Sequence, residues 1–550
     1  MKVNLIKTSI LLILFSIDIV RCFKCGADKL KLSPKNIETT EEEERRRLDS
    51  SYQPIRIGAD YTTLKRPSSM SLNTFEKIKD LIEETFDEFK KFLMVQPVDI
   101  NLSGQLNDIK QSCDLETIGS NYANFLKNND VIIFPQFDDT LQSSVLAAAM
   151  FCLTTGRRNR PVGGVLLLNP SLSYTNKNSD IFMKNILLHE ISHILAFSSS
   201  LFQSLGMLKR SNSIYYITSP KTLLKARQHF NCGSIIGVPL ENQGGVGSVG
   251  SHWEARYMLG DYMLSTDYDD IVLSDISLAL FEDTGFYKVN YYTGGLFKFG
   301  KNKGCDLFSK KCLSSSGPLT EDFCSIRNQP MCTPTKTMKA HCAIYDYSST
   351  TAEIPSEYQY FDNPNYGGFM AANFCPVARG NYSDSVYYPE SCKIGTSSLS
   401  SEYGEKIGDT SFCFISSLIP TSSNYNVDSR AICYEVQCDS NNKQIIVSIG
   451  STKINCPTSG GIISNPSGYK GTITCPKYID ICDFKDNVMC NEMFDCLTRK
   501  VEADEDSYMY DSNDENFNII SPNIILNGNT GKNCKINNLI LLFIFLIYAL

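Results

Sequence analysis

The spacing of apolar residues divides the chain into zones with different periods. Phe75, Ile78, Ile82, Phe86, Phe89 and Leu93 recur at intervals of three and four, which predicts an amphipathic helix with its stripe against a core. Val131-Ile132-Ile133-Phe134 and Val165-Leu166-Leu167-Leu168 are short apolar runs bounded by turn residues and read as buried strands. Pro54-Ile55-Arg56-Ile57 reads as a short strand, whereas Ala147 to Thr154 fits helix or strand equally. Asn185 to Phe197, NILLHEISHILAF, places Ile186, Leu187, Ile191, Ile194 and Leu195 around several faces of a helix, as burial inside a domain requires. From Cys305 onward helical periodicity disappears and Gly, Ser, Pro, Tyr and Cys dominate, which predicts loops and strands.

The two ends carry a different signal. Lys2 and Lys7 precede a short apolar run, Ile10 to Ile17, and residues 1–22 read as a secretory signal peptide. The run is far below the about 20 residues that a membrane span needs. At the other end, Leu539 to Leu550 is apolar throughout and follows small residues at Asn527-Gly-Asn-Thr-Gly531 and a polar spacer. That order matches a signal exchanged for a GPI anchor, assigned to residues 530–550. Residues 23–52 are polar, include Glu41 to Arg47, and read as a pro-segment; residues 501–529 form an acidic stalk. The expected location is the extracellular cell surface, with secretion as the alternative. Asn101 and Asn381 then head usable glycosylation sequons.

Composition narrows the class. A chain of 550 residues suits several domains, and 42% hydrophobic with 20% charged residues is globular. A net charge of −8 offers no landing surface for nucleic acid. There are 21 cysteines, sixteen of them from Cys305 to Cys534, without a ladder of close pairs or histidines beside them. In an oxidising compartment such cysteines are disulfides.

The chemistry concentrates on NILLHEISHILAF. His189 and His193 are four apart, so on a helix both imidazoles lie on one face and can bind one metal ion. Glu190 follows the first histidine and is placed to act as general base on a water at the metal. A catalytic zinc needs a third protein ligand. The compact metzincin signature has glycine and histidine where this chain has Ala196 and Ser199, so the third ligand lies elsewhere among His229, His252 and His341. His252 sits in a glycine-rich segment that lets backbone approach a metal; His229, beside Cys232, reads better as a packed histidine, and His341 as a surface one.

The segment ARQHFNCGSIIGVPLENQGGVGSVGSHWEARYMLGDYM, with HEISH and RPVGGVLLLNP upstream, resembles the leishmanolysin family of metzincin zinc metalloproteases. The resemblance runs from Pro54 to Cys496, with its specific motifs between Arg160 and Tyr287. It implies that His252, 59 residues after His193, is the third ligand of a single zinc ion, and that Met263 is the methionine of a Met-turn. It implies an α+β fold: a metzincin-like catalytic domain of mixed sheet and active-site helix, then a disulfide-rich region of strands and loops. The corresponding limits are 53–198 for the helix-bearing subdomain, 199–304 for the insertion, third histidine and Met-turn, and 305–500 for the cysteine-rich domain. It also implies that Cys25 blocks the metal as a cysteine switch, and that the strand Val165, Leu166, Leu167, Leu168 offers its edge to an extended substrate. Ala196 departs from the family glycine, and a positive φ there would cost about 1 kcal/mol.

The function implied is a cell-surface zinc endopeptidase acting on proteins or peptides and held to the membrane by a lipid anchor. The competing readings are a catalytically weak adhesin that keeps the fold, and hydrolysis of a non-peptide substrate. Setting aside Cys22, Cys25 and Cys534 leaves eighteen cysteines for nine disulfides in the mature protein.

Overall fold

The computed structural model describes residues 30–38 and 51–482, apart from 142–144, 172–176, 212–213, 244–247, 267, 269, 292–296, 350–352, 381–389 and 398. The signal, Cys25, the charged stretch at 41–47, Asn381, the stalk and the C-terminal tail all lie outside the described residues.

The stripe that begins at Phe75 forms helix α1, Leu72–Phe92. Its start is set by Ser71, whose hydroxyl accepts from the Thr74 N–H at 3.0 Å. Ile78, Ile82, Phe86 and Phe89 are buried, whereas Lys79 and Lys90 pair with Glu76 and Asp87 on the wet face.

The central sheet has five strands: β1 (Lys35–Ile37), β2 (Ile57–Ala59), β3 (Val131–Phe137), β4 (Ala147–Thr155) and β5 (Arg160–Leu168), in spatial order β1-β4-β5-β3-β2. β2, β3 and β5 are parallel; β4 runs antiparallel to β5, and β1 lies parallel to β4. The ambiguous segment from Ala147 is therefore a strand. The single strand expected at Pro54–Ile57 splits in two. Gln53–Pro54 pairs with Met94 and Val95, and Ile57 begins β2. Arg56 is the point of division: its backbone N–H and its guanidinium both donate to the buried Asp130 carboxylate, at 3.0 Å.

The expectation that Val165 to Leu168 offers a free edge is corrected. Val165 pairs with Phe134 on one side and Met150 on the other, and Leu168 pairs with Phe137 and Ala147. Both rows of backbone groups are used within the sheet. An unbroken apolar run marks a strand buried on both faces, which belongs in a sheet interior. The outer strand on this side is β4, whose last residues, Leu153 to Thr155, carry β1.

Helix α2, Lys177–Leu195, follows β5 and packs on β4 and β5. Gly164 makes this possible: a Cβ there would lie 2.5 Å from the Ile194 side chain. Beyond it come α3 (Pro220–Phe230), α4 (Ala255–Met258) and α5 (Asp275–Asp283). One continuous apolar core joins residues from Ile55 to Val377. A separate core spans Tyr403 to Cys482 around a six-stranded antiparallel sheet.

Eight disulfides use all sixteen cysteines from Cys113 to Cys482. The remaining pair expected in the mature protein, Cys490 and Cys496, lies outside the described residues. The molecule is thus α+β and disulfide-rich. Among the described residues no helix is long and apolar enough to cross a membrane.

Candidate metal centre

The last turns of α2 carry His189 and His193 on one face, and a backbone pairing brings His252 to them. Leu240 bridges Trp253, and Glu241 N–H donates to His252 O at 2.9 Å, so the strand-like segment after α3 delivers the third ring. The three Nε2 atoms form a near-equilateral triangle with sides of 3.0, 3.1 and 3.2 Å. Zinc–nitrogen bonds of tetrahedral geometry place ligand nitrogens about 3.3 Å apart, so the triangle has the size of a zinc face.

The opposite nitrogens decide the tautomers. His189 Nδ1 donates to Tyr262 O at 2.8 Å, His193 Nδ1 to Phe197 O at 2.6 Å, and His252 Nδ1 to Ser248 O at 3.0 Å. A carbonyl only accepts, so each Nδ1 carries the proton and each Nε2 turns a lone pair inward. Three lone pairs converging at this distance repel one another and fit a cation between them. Burial lowers the pKa of His189 to about 4 and of His193 to about 3, and holds His252 well below its ordinary value. All three rings are neutral at physiological pH, as metal ligation requires. Among the described residues no other group of three His, Cys, Asp or Glu side chains is so arranged.

Glu190 follows His189 on the helix and is only 2% exposed. Met263 is fully buried in the turn that also supplies the Tyr262 carbonyl to His189, and its own carbonyl accepts from Trp253 N–H at 3.0 Å. The other histidines lie apart. His229 donates through Nε2 to Phe299 O at 2.8 Å and stacks on Phe297, a packed ring as its neighbourhood implies. His341 belongs to a strand paired with Pro330 on one side and Arg379 on the other and is partly buried. Ala196 does not adopt a positive φ. Its N–H and that of Phe197 both donate to Ser192 O, closing the helix without a left-handed residue, so the missing glycine carries no strain.

Sequence reasoning missed the groups behind the triad. Asp261 is fully buried and accepts from Met263 N–H, Ser274 Oγ and Ser277 Oγ at 2.8, 2.5 and 2.8 Å. Burial pushes its carboxyl up to about 6, against the pull of these hydrogen bonds. Glu241 and Glu254 are buried nearby, and burial raises both, with the charge of Glu241 raising Glu254 further. A serine opening α5 at Ser274 was a readable helix start; a carboxylate two residues before Met263 carries no pattern of its own.

Residues 77–489 match the protein-family model described as leishmanolysin. Leishmanolysin of Leishmania donovani is 24% identical over 500 residues, covering 84% of this chain and 79% of that protein. A leishmanolysin homolog of Crithidia fasciculata is 26% identical over 493 residues, covering 84% and 72%. A leishmanolysin-like peptidase of Drosophila melanogaster is 24% identical over 439 residues, covering 65% and 64%.

Proposed function

Because this chain belongs to the leishmanolysin family of metalloproteases, we propose that it is a zinc endopeptidase of metzincin type, with His189, His193 and His252 holding one ion. The observation that supports this most is the set of three Nδ1–carbonyl hydrogen bonds that turn three Nε2 lone pairs onto one point. Bound there, zinc supplies a Lewis acid that acidifies water and polarises a carbonyl. Glu190 takes the proton of the attacking water and delivers it to the leaving amine. Met263 and its turn hold the floor of the site, and the substrate is a protein or peptide.

An extended substrate does not add to Val165 to Leu168, since these residues are paired on both sides. Cell-surface location is supported by the sequence at both ends and by the disulfides, which belong to an oxidising compartment. The lipid anchor, the Cys25 switch and the domain limits complete the reading on sequence grounds.

The test is Glu190→Gln. It keeps one zinc per chain and lowers peptide cleavage by about 10²-fold or more. Cleavage at the wild-type rate would remove Glu190 from the mechanism. Full zinc content without chelator-sensitive cleavage by the wild type, freed of residues 23–52, would favour the adhesin reading.

A further inference from the structure

Asp261 touches none of the three histidines, yet the supports of two of them pass through it. One oxygen accepts from Met263 N–H at 2.8 Å, which fixes the turn whose preceding residue, Tyr262, gives its carbonyl to His189 Nδ1. The same Tyr262 makes a hydroxyl–hydroxyl hydrogen bond with Ser192 on α2 at 2.9 Å. The other oxygen accepts from Ser277 Oγ, and Ser277 Oγ in turn accepts from the indole N–H of Trp253, the residue after His252. It also accepts from Ser274 Oγ, which caps α5 by accepting from Ser277 N–H at 3.1 Å. All of these groups except the His189 ring belong to residues buried to 3% exposure or less.

We propose that Asp261 is the positioning residue that aims His189 and His252 together, by clamping the turn before Met263 to α5 and to Trp253. This inference rests on the reading of the three histidines as zinc ligands. A buried carboxylate with three donors on it is worth keeping only if the donors need a fixed acceptor. Asparagine keeps the shape but replaces one acceptor by an NH₂ group, which then meets the protons of Ser274 and Ser277 or loses the Met263 bond. The turn then relaxes, the Tyr262 carbonyl leaves the axis of His189 Nδ1–H, and Trp253 loses the anchor that holds His252 in register. Groups that orient metal ligands in this way carry about 10–100-fold in metal affinity or activity.

The experiment compares purified wild type, Asp261→Asn and Asp283→Asn. Asp283 accepts from Thr222 N–H at the start of α3 and serves as a control for loss of stability alone. Zinc affinity is measured by competition with a chromophoric chelator, the visible spectrum with cobalt(II) in place of zinc, and kcat and KM on one peptide. For Asp261→Asn the expected result is zinc binding weakened about 10–100-fold, a shifted cobalt band and a fall in kcat with KM little changed. Asp283→Asn loses melting temperature but keeps the wild-type cobalt spectrum and zinc affinity. If Asp261→Asn does not fold, Ser277→Ala, which removes only the bridge to Trp253, is read instead and shifts the cobalt band in the same direction. Wild-type affinity and an unshifted cobalt band in the variant read overturn the inference and leave the metal site standing. A wild type that takes up neither zinc nor cobalt overturns the metal-site reading, and this inference with it.

Discussion

At the scale of single residues, the site is a matter of which nitrogen holds a proton. The carbonyls of Tyr262, Phe197 and Ser248 each claim an Nδ1–H, and burial keeps the rings neutral. Protons compete with a metal only below a ligand's pKa, and that pKa is lowered here to about 4 at His189 and about 3 at His193. Dialysis of the loaded protein at pH 5 should therefore leave its zinc content as at pH 7; loss with a midpoint near 6.5 would show ordinary, exposed histidines. Ala196 gives a second prediction. With no positive φ to relieve, Ala196→Gly should lower stability by about 0.5–1 kcal/mol, and a rise in melting temperature would contradict the backbone described. His189, His193 and Glu190 were legible because helical geometry makes a four-residue spacing meaningful. His252 was not legible from spacing, because 59 residues of chain separate it from His193. Asp261 was invisible because nothing local marks a residue whose side-chain partners, Ser274 and Ser277, lie at the start of α5.

At the scale of elements, apolar periodicity located α1 and the two interior strands to within a few residues, because burial on one or both faces leaves a period behind. It said nothing about neighbours. Val165 to Leu168 read correctly as a strand and wrongly as an edge, since an edge is a property of the sheet. Pro54 to Ile57 read as one strand because the break at Arg56 depends on Asp130, more than seventy residues away. The seating of α2 on β5 depends on Gly164, where a Cβ would lie 2.5 Å from Ile194. Gly164→Ala should push α2 outward, destabilise the protein by about 1–3 kcal/mol and reduce zinc uptake, read by thermal melting and metal analysis; an unchanged melting curve would mean the helix is not so closely seated.

At the scale of the molecule, a core reaching from Ile55 to Val377 makes the histidine helix, the Met263 turn and the start of the cysteine-rich region one packed body. Cys232–Cys305 closes a stretch of 73 residues that contains His252 and Met263. Replacing both cysteines by serine should cost about 2–5 kcal/mol and loosen the third histidine first, seen as zinc loss before unfolding in a denaturant titration. Simultaneous loss would show that the bridge serves global stability alone. That the cysteines pair was legible from their number and company; their partners were not, because pairing follows the fold. His252 reaches across that interval to the two histidines of α2 and completes the proposed metal site. Its most direct test is the zinc content of purified wild type beside His252→Ala. One zinc per chain in the wild type and almost none in the variant is the predicted result; zinc retained by the variant, or absent from the wild type, would contradict it.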